Sequence, residues 1–263
     1  MVRRLRLDAE LVRRQLARSR EQAGELIEAG RVQVRGNVAT KAATGVEQDT
    51  PIRVLSDIQD PGYASRGAHK LAGALAEFAT LRVSGRRCLD AGASTGGFTD
   101  VLLRNGAREV VAVDVGYGQL VWALQSDPRV IVHDRTNVRT LTPEQIGGLA
   151  ELTVADLSFI SLGLVLPALT ACTVTDLVPM VKPQFEVGRQ RLGRGGVVRE
   201  PALRAEAVLA VAGAALELGW GTAGLARSPL PGPSGNVEFF LWLRQDAGPA
   251  DPARIHAIAG EGE

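Results

Sequence analysis

Four charged side chains, Lys70, Asp156, Lys182 and Glu238, alternate in sign along the chain and sit mostly among apolar neighbours. Lys70 lies in Ser65-Arg66-Gly67-Ala68-His69-Lys70 and Asp156 in Val154-Ala155-Asp156-Leu157-Ser158-Phe159. Lys182 lies in Pro179-Met180-Val181-Lys182-Pro183-Gln184-Phe185-Glu186, and Glu238 in Gly235-Asn236-Val237-Glu238-Phe239-Phe240. A charge in apolar surroundings is costly unless paired. Two amines and two carboxylates can neutralise one another, which reads equally well as a pair of structural salt bridges or as proton-transfer machinery. A hydroxyl is a poor nucleophile and must lose its proton as it attacks, so it needs a base tuned near the working pH. Lysine qualifies when burial or a nearby cation destabilises its ammonium form. A second lysine can supply that cation and can stabilise developing alkoxide charge. Of the 30 basic residues only Lys41, Lys70 and Lys182 are lysines. Genomic base composition accounts for such a bias, yet arginine cannot give up its proton near neutral pH, so each lysine matters.

A second constellation is Cys88-Leu89-Asp90-Ala91-Gly92-Ala93-Ser94-Thr95-Gly96-Gly97-Phe98, which follows an apolar run and opens a helical one. Such a turn lets the backbone approach a ligand at the carboxyl edge of a sheet. A dinucleotide loop is the obvious competitor. Asp90 argues against it, because a carboxylate before the first glycine repels a pyrophosphate on the helix N-terminus. It suits a ligand with a positive amino group, such as the methionine part of S-adenosylmethionine. Asp114, twenty-four residues on, suits ribose hydroxyls. Asp134 ends the next apolar run, where an adenine would lie. Candidate cofactor residues are therefore Asp90, Gly92, Ser94, Thr95, Gly96, Gly97, Phe98, Asp114 and Asp134.

These groups need a scaffold. Strands are expected at 86–90, 109–114, 130–133, 152–156, 176–182, 221–227 and 237–243, with helical patterns between them, clearest at 201–218. Strands separated by helices imply an α/β fold with a mostly parallel sheet covered on both faces. After Arg244 the sequence turns polar, and residues 246–263 are expected to be a frayed tail or a loosely docked helix. Trp122, Trp220 and Trp242 read as core or rim.

Residues 1–55 differ in character. Ten Arg and one Lys face seven acids there, a net +4 in a chain whose total is +1. That asymmetry points to an anionic partner. Two helices are expected, one capped by Asp8 and carrying Leu11, Val12 and Leu16, the other capped by Ser19 and closed by Gly30. Strands follow at 32–34 and 51–54, with a turn at Gly36-Asn37. Arg14, Arg18, Arg20 and Arg31 gather around the helices.

The pattern Arg6-Leu7-Asp8, Ala17-Arg18-Ser19-Arg20, Ala23, Leu26-Ile27 and Gly30-Arg31-Val32 resembles the S4 domain, a small RNA-binding fold, over roughly residues 4–54. The seven expected strands, Asp90-x-Gly92 and Asp114 resemble the class I (Rossmann-like) methyltransferases. The order Lys70, Asp156, Lys182, Glu238 is similar to the tetrad of FtsJ-type ribose 2′-O-methyltransferases. With the S4-like module in front, the chain resembles the TlyA (hemolysin A) family over about residues 3–243. Its most specific stretches are 63–71, 89–99, 114–120, 156–161, 182–186 and 228–238. The resemblance implies an S4-like domain at 1–55, a linker at 56–63 and a methyltransferase domain at 64–245. It implies cytidine 2′-O-methylation of ribosomal RNA, in the large (23S) subunit and in some members the small (16S), with a lysine as general base. Loss of that methylation is linked in the family to capreomycin resistance. RNA contact is expected from Arg6, Arg14, Arg18, Arg20 and Lys41. Phe159 would stack on a base rotated out of its helix, or else lie in the core. The basic loop 189–196 would either close over RNA phosphates or stand free in solvent.

Composition limits the alternatives. With 45% hydrophobic residues, disorder is excluded. Two cysteines cannot build a disulfide scaffold, and no run of about 18 apolar residues offers a membrane span. The N-terminus has no apolar signal segment. A cytoplasmic monomer without a metal is expected. Two other readings remain: an RNA-binding assembly factor without turnover, and a membrane-lytic hemolysin, which no amphipathic basic helix supports.

Overall fold

The computed structural model describes residues 4–17, 20–55, 61–232 and 234–260. The chain divides into two compact units, Met1–Gly62 and Tyr63–Glu263. Arg18, Ser19 and most of the expected linker lie outside the described residues.

The first unit runs β1 (Leu5–Arg6), α1 (Leu7–Arg13), α2 (Arg20–Glu28), β2 (Val32–Val34), β3 (Asn37–Val38), β4 (Gly45–Val46) and β5 (Ile52–Val54). β2 is the middle strand of an antiparallel sheet in the order β3-β2-β5, and β1 pairs with β4. Leu7, Leu11, Ala23, Ile27, Val32 and Val46 form its buried core. Asp8 is not the cap of α1: the helix begins two residues earlier than that cap would set, with Arg6 at the N-cap position. The Asp8 carboxylate instead holds Arg6 and Arg20. Gln15, at φ +58°, ends the helix in the left-handed region, so Leu16 falls outside it and is partly exposed. Gly30 closes α2 at φ +68° as expected, with Arg31 N–H reaching back to Leu26 O. The β2–β3 turn is Arg35-Gly36, at φ +53° and +84°, one residue earlier than expected. Two positive φ values define the turn that suits the twist of a two-residue hairpin. They pair Val34 with Asn37.

The second unit begins with α3 (Ala68–Glu77), β6 (Arg87–Ala91), α4 (Gly97–Arg104), β7 (Glu109–Val113), α5 (Trp122–Gln125) and β8 (Val130–His133). It continues with β9 (Ala150–Ala155), α6 (Leu166–Ala171), β10 (Thr173–Val181), α7 (Pro183–Glu186), α8 (Pro201–Glu217), β11 (Gly221–Arg227), β12 (Phe239–Arg244) and α9 (Pro252–Gly260). Seven strands form one sheet in the order β11-β12-β10-β9-β6-β7-β8. β12 alone runs against its neighbours; the other pairs, β10-β9, β9-β6, β6-β7 and β7-β8, are parallel. Both faces are buried, as period-two alternation requires of a covered sheet. Cys88, Val110 and Ala112 pack with α3 and α4 residues such as Leu71, Phe98 and Leu102. Leu89, Val111 and Val113 lie in the opposite cluster with Leu166, Leu169, Val208 and Val211 of α6 and α8.

The polar stretch after Arg244 does not fray. Within it, α9 buries Ile255 and Ala259 in the main core. Arg204 of α8, itself buried, donates to the carbonyl of Ala259. The chain reverses direction across the sheet between β6 and β9. Ligands of such sheets bind at the carboxyl ends flanking that crevice.

Candidate active site

The loop leaving β6 runs along this crevice. Gly92 adopts φ +88°, and a Cβ there would stand 2.5 Å from the backbone oxygen of Asp156. Only glycine allows the two loops to close so tightly. The Asp156 N–H donates to Ala91 O at 3.0 Å, which fastens the loop after β9 to the end of β6. Ser94 (φ +48°) and Gly96 (φ +97°) complete the turn into α4.

Asp90 is fully buried. Its Oδ2 accepts from Thr99 Oγ1 at 2.6 Å, while Oδ1 has no hydrogen-bond partner among the described residues. Burial pushes this carboxyl up to about 7, against the Thr99 hydrogen bond and aided by the charges of Asp156 and Asp114. A buried oxygen without a donor is costly and fits an ammonium group brought by a ligand. Asp114 accepts from Ser94 N–H at 2.8 Å and Gly116 N–H at 2.7 Å, one on each oxygen. Each oxygen keeps a lone pair for a hydroxyl. Asp134 accepts from Gly118 N–H at 2.9 Å. Thr95 is exposed on the same loop and Gly97 is buried against Ser65. The ring of Phe98 is buried against that of Phe240, centroids 6.0 Å apart. These residues fit S-adenosylmethionine: an acid for its ammonium, an acid for its ribose, and a backbone bare enough to pass between them.

The four charged residues form two ion pairs. Lys70 Nζ lies 2.5 Å from Glu238 Oε2, and Lys182 Nζ lies 2.6 Å from Asp156 Oδ1. Lys70, Lys182 and Glu238 are buried, and Asp156 is half-buried. Strand register explains how the pairs come to one edge. Asp156 and Lys182 directly follow parallel strands β9 and β10. β12 is antiparallel, so its beginning lies at the same edge. Val181 pairs with Phe239, which sets Lys182 and Glu238 one step beyond the last paired position. Gly232 backs the acid: a Cβ there would meet Glu238 Oε1 at 2.5 Å.

Sequence reasoning gave no separate role to Ser158, yet its Oγ accepts from Lys182 Nζ at 2.9 Å. Nor did it assign a partner to Glu186, which accepts from Ser161 Oγ at 2.6 Å and Leu162 N–H at 2.9 Å. Burial raises the Glu186 carboxyl above its ordinary value. The loop after β9 is thus pinned at both ends. Between the pins, Phe159 sits at φ +63° and is 92% exposed, its ring 5.3 Å from that of Phe185. Exposure removes the core reading of Phe159. Trp220 and Trp242 are buried, and Trp122 is 79% exposed, which removes the core reading for it. In the loop 189–196, Arg191 pairs with Glu206 at 2.7 Å. Asn236, two residues before Glu238, ties the loop down by bonding Gly196 O and Val198 N–H.

In the first unit the expected RNA-contacting arginines divide. Arg14 is spent internally, on Glu10 and on the carbonyls of Glu47, Gln48 and Thr50. Arg6 and Arg20 converge on buried Asp8 and remain largely exposed. Lys41 is exposed. Among the described residues no group of His, Cys, Asp and Glu could hold a metal ion, and no helix is long and apolar enough to cross a membrane.

Residues 63–245 match the model of the FtsJ-like methyltransferases, and residues 5–52 that of the S4 domain. The 16S/23S rRNA (cytidine-2′-O)-methyltransferase TlyA of Mycobacterium tuberculosis is 60% identical over 269 residues, covering 100% of both chains. YqxC of Bacillus subtilis, described as an rRNA methyltransferase, is 43% identical over 90% of this chain and 85% of its own. A solved structure from Streptococcus thermophilus, described as a hemolysin, superposes with a TM-score of 0.78 at 38% identity, covering 99% of this chain and 96% of the other. With a matching methyltransferase model over most of its length and an S4 domain before it, the chain belongs to the TlyA family of FtsJ-like methyltransferases.

Proposed function

We propose that the protein transfers a methyl group from S-adenosylmethionine to the 2′-hydroxyl of a cytidine in ribosomal RNA, with 23S RNA of the large subunit as the substrate. The observation that carries this reading is the meeting of two lysine–carboxylate pairs at the edge where the Gly92 loop packs on Asp156. The relatives' names support the substrate: TlyA of M. tuberculosis is named for 16S and 23S rRNA, and that of Campylobacter jejuni for 23S rRNA.

The bound cofactor supplies an electrophilic methyl group on a sulfonium. Asp90 holds its ammonium end, and Asp114 its ribose. Lys182, in its neutral form, accepts the proton of the sugar hydroxyl as the oxygen attacks. Asp156 keeps Lys182 in place. Lys70, held by Glu238, directs the positive end of a neutral pair toward the developing alkoxide, where a low-dielectric setting strengthens it. Phe159 stacks on the rotated base. Arg6, Arg20 and Lys41 bind RNA phosphates, so affinity falls steeply as salt rises. The enzyme acts as a cytoplasmic monomer.

The test is Lys182→Ala, assayed for methyl transfer to ribosomal subunits and followed by mapping of ribose methylation on both rRNAs. Loss of transfer with folding and cofactor binding retained is expected. Unchanged transfer would remove the mechanism, and methylation confined to 16S RNA would remove the assigned substrate.

A further inference from the structure

Phe159 combines two features that each cost free energy. Its backbone lies at φ +63°, a left-handed conformation that a bulky side chain seldom adopts. Its ring is almost wholly exposed, although burial would stabilise it. The flanking residues behave otherwise: Leu157 and Ile160 pack against the main core, and Leu162 is buried in it. A strained, ring-out conformation persists only where the surrounding structure holds it. Upstream, the hold is the bond from Asp156 N–H to Ala91 O. Downstream it is Glu186, whose two oxygens take separate donors of the same loop. Oε2 accepts from Ser161 Oγ at 2.6 Å, and Oε1 accepts from Leu162 N–H at 2.9 Å. Ser161 Oγ in turn accepts from Gly163 N–H at 3.3 Å. Hydrogen bonds to a carboxylate are stronger than those between neutral groups, so the downstream hold is firm.

Glu186 is the last residue of α7, the short helix that begins directly after Lys182. Phe185, just before it, has its ring 5.3 Å from that of Phe159, and Lys182 Nζ lies 6.0 Å from the Phe185 ring centre. One helical turn therefore carries the amine at its start and the acid that grips the loop at its end. The Phe185 ring lies within reach of both the amine and Phe159. We propose that Glu186 is a positioning residue, which clamps the loop after β9 so that the Phe159 ring is held out at a fixed reach from Lys182. The inference rests on the reading of Phe159 as the ring that stacks on the rotated base. It adds what keeps that ring ready. A loop without the clamp can relax its backbone and turn the ring onto the protein. Each encounter with RNA would then have to reorder the loop before a base could be held. With the clamp in place that ordering is complete beforehand, and the nucleotide meets a stacking ring and an amine already set apart by the right distance.

The experiment uses the full chain with unmethylated large subunits and S-adenosylmethionine. It reads the single-turnover rate of methyl transfer and the cofactor Kd, with a melting curve to check folding. Glu186→Ala is expected to slow transfer roughly 10- to 100-fold, with cofactor Kd within about two-fold, as misplacing a group that orients the substrate does. Glu186→Gln keeps a carbonyl for Leu162 N–H and an amide for Ser161 Oγ, and should restore most of the rate. Ser161→Ala removes one bond of the clamp, and should slow transfer by a smaller factor; it carries the test if Glu186→Ala does not fold. Each change is then combined with Phe159→Ala. An acid that acts through the ring adds no more than about two-fold to the loss caused by Phe159→Ala, whereas independent effects multiply. Wild-type rates in Glu186→Ala and Ser161→Ala, a glutamine variant as slow as the alanine one, or effects that multiply would each overturn the proposal. A wild-type rate in Phe159→Ala removes the stacking reading itself, whereas a slow Phe159→Ala beside a normal Glu186→Ala removes the clamp alone.

Discussion

Lys70 and Glu238 are separated by 168 positions in sequence, yet they meet at 2.5 Å with both side chains buried. Removing one member of such a pair leaves an uncompensated charge out of water, at a cost of about 3–5 kcal/mol. Lys70→Ala should therefore lose both stability and methyl transfer. The double change Lys70→Met with Glu238→Leu should recover much of the stability and none of the activity. Chemical denaturation and a methyl-transfer assay on the three chains check this. Equal activity in the double variant would make the pair structural only.

Gly92→Ala should abolish cofactor binding. The new methyl group would press on the Asp156 carbonyl at a backbone angle of +88° that alanine tolerates poorly. Calorimetric titration with S-adenosylmethionine reads the effect, and binding at the native affinity would contradict the close approach of the two loops.

Asp90 makes the stability of the ligand-free chain pH-dependent in a defined direction. Its carboxyl is raised, mainly by burial, to about 7 in the folded state, from an unfolded value of about 4. The folded chain binds this proton more tightly than the unfolded chain does. The contribution is therefore fully present below about pH 4 and is lost as pH rises through about 7. Asp90→Asn removes the loss. Melting temperatures at pH 5 and pH 8 should show a larger gain for the variant at pH 8; a gain independent of pH would show that Asp90 does not ionise in this range.

Arg14 and Arg20 flank the same helix junction but should behave oppositely. Arg14→Ala leaves Glu10 to Arg13 alone and strands three loop carbonyls, and should destabilise the first unit by ~2 kcal/mol. Arg20→Ala should leave melting nearly unchanged. It should weaken subunit binding and reduce the slope of log K against log salt by about 1. Parallel melts and salt titrations separate the two, and the reverse assignment would show that Arg14 is the phosphate contact.

These contrasts mark where sequence reading succeeds and where it stops. The strands were readable because a sheet buried on both faces needs near-continuous apolar runs, as in Glu109–Val113 and Thr173–Val181. Asp90, Asp156, Lys182 and Glu238 drew attention because charged residues stood at strand ends, and Lys70 because lysine is rare in this chain. Arg14 and Arg20 could not be told apart, since their difference lies in the 47–50 loop, which supplies carbonyls to one of them. For Phe159 the sequence left exposure and burial equally open, and Trp122 read as core or rim; only the surrounding packing reveals their exposure. α9 was legible only as one of two readings, a docked helix or a frayed tail, because Ile255 and Ala259 are too few to make an amphipathic pattern and their burial depends on the surface of α8. Ser158 escaped because a serine beside an acid is commonplace until a lysine is seen to reach it.

The antiparallel setting of β12 has a bearing on how the enzyme is made. Glu238 reaches the edge of the two ion pairs from the last strand of the sheet, whereas Asp90, Lys70, Asp156 and Lys182 all precede it in the chain. A nascent chain can assemble the cofactor loop while its chemistry is still incomplete. Arrested chains ending after β12 should transfer methyl groups and those ending before it should not, which a methyl-transfer assay on the two checks.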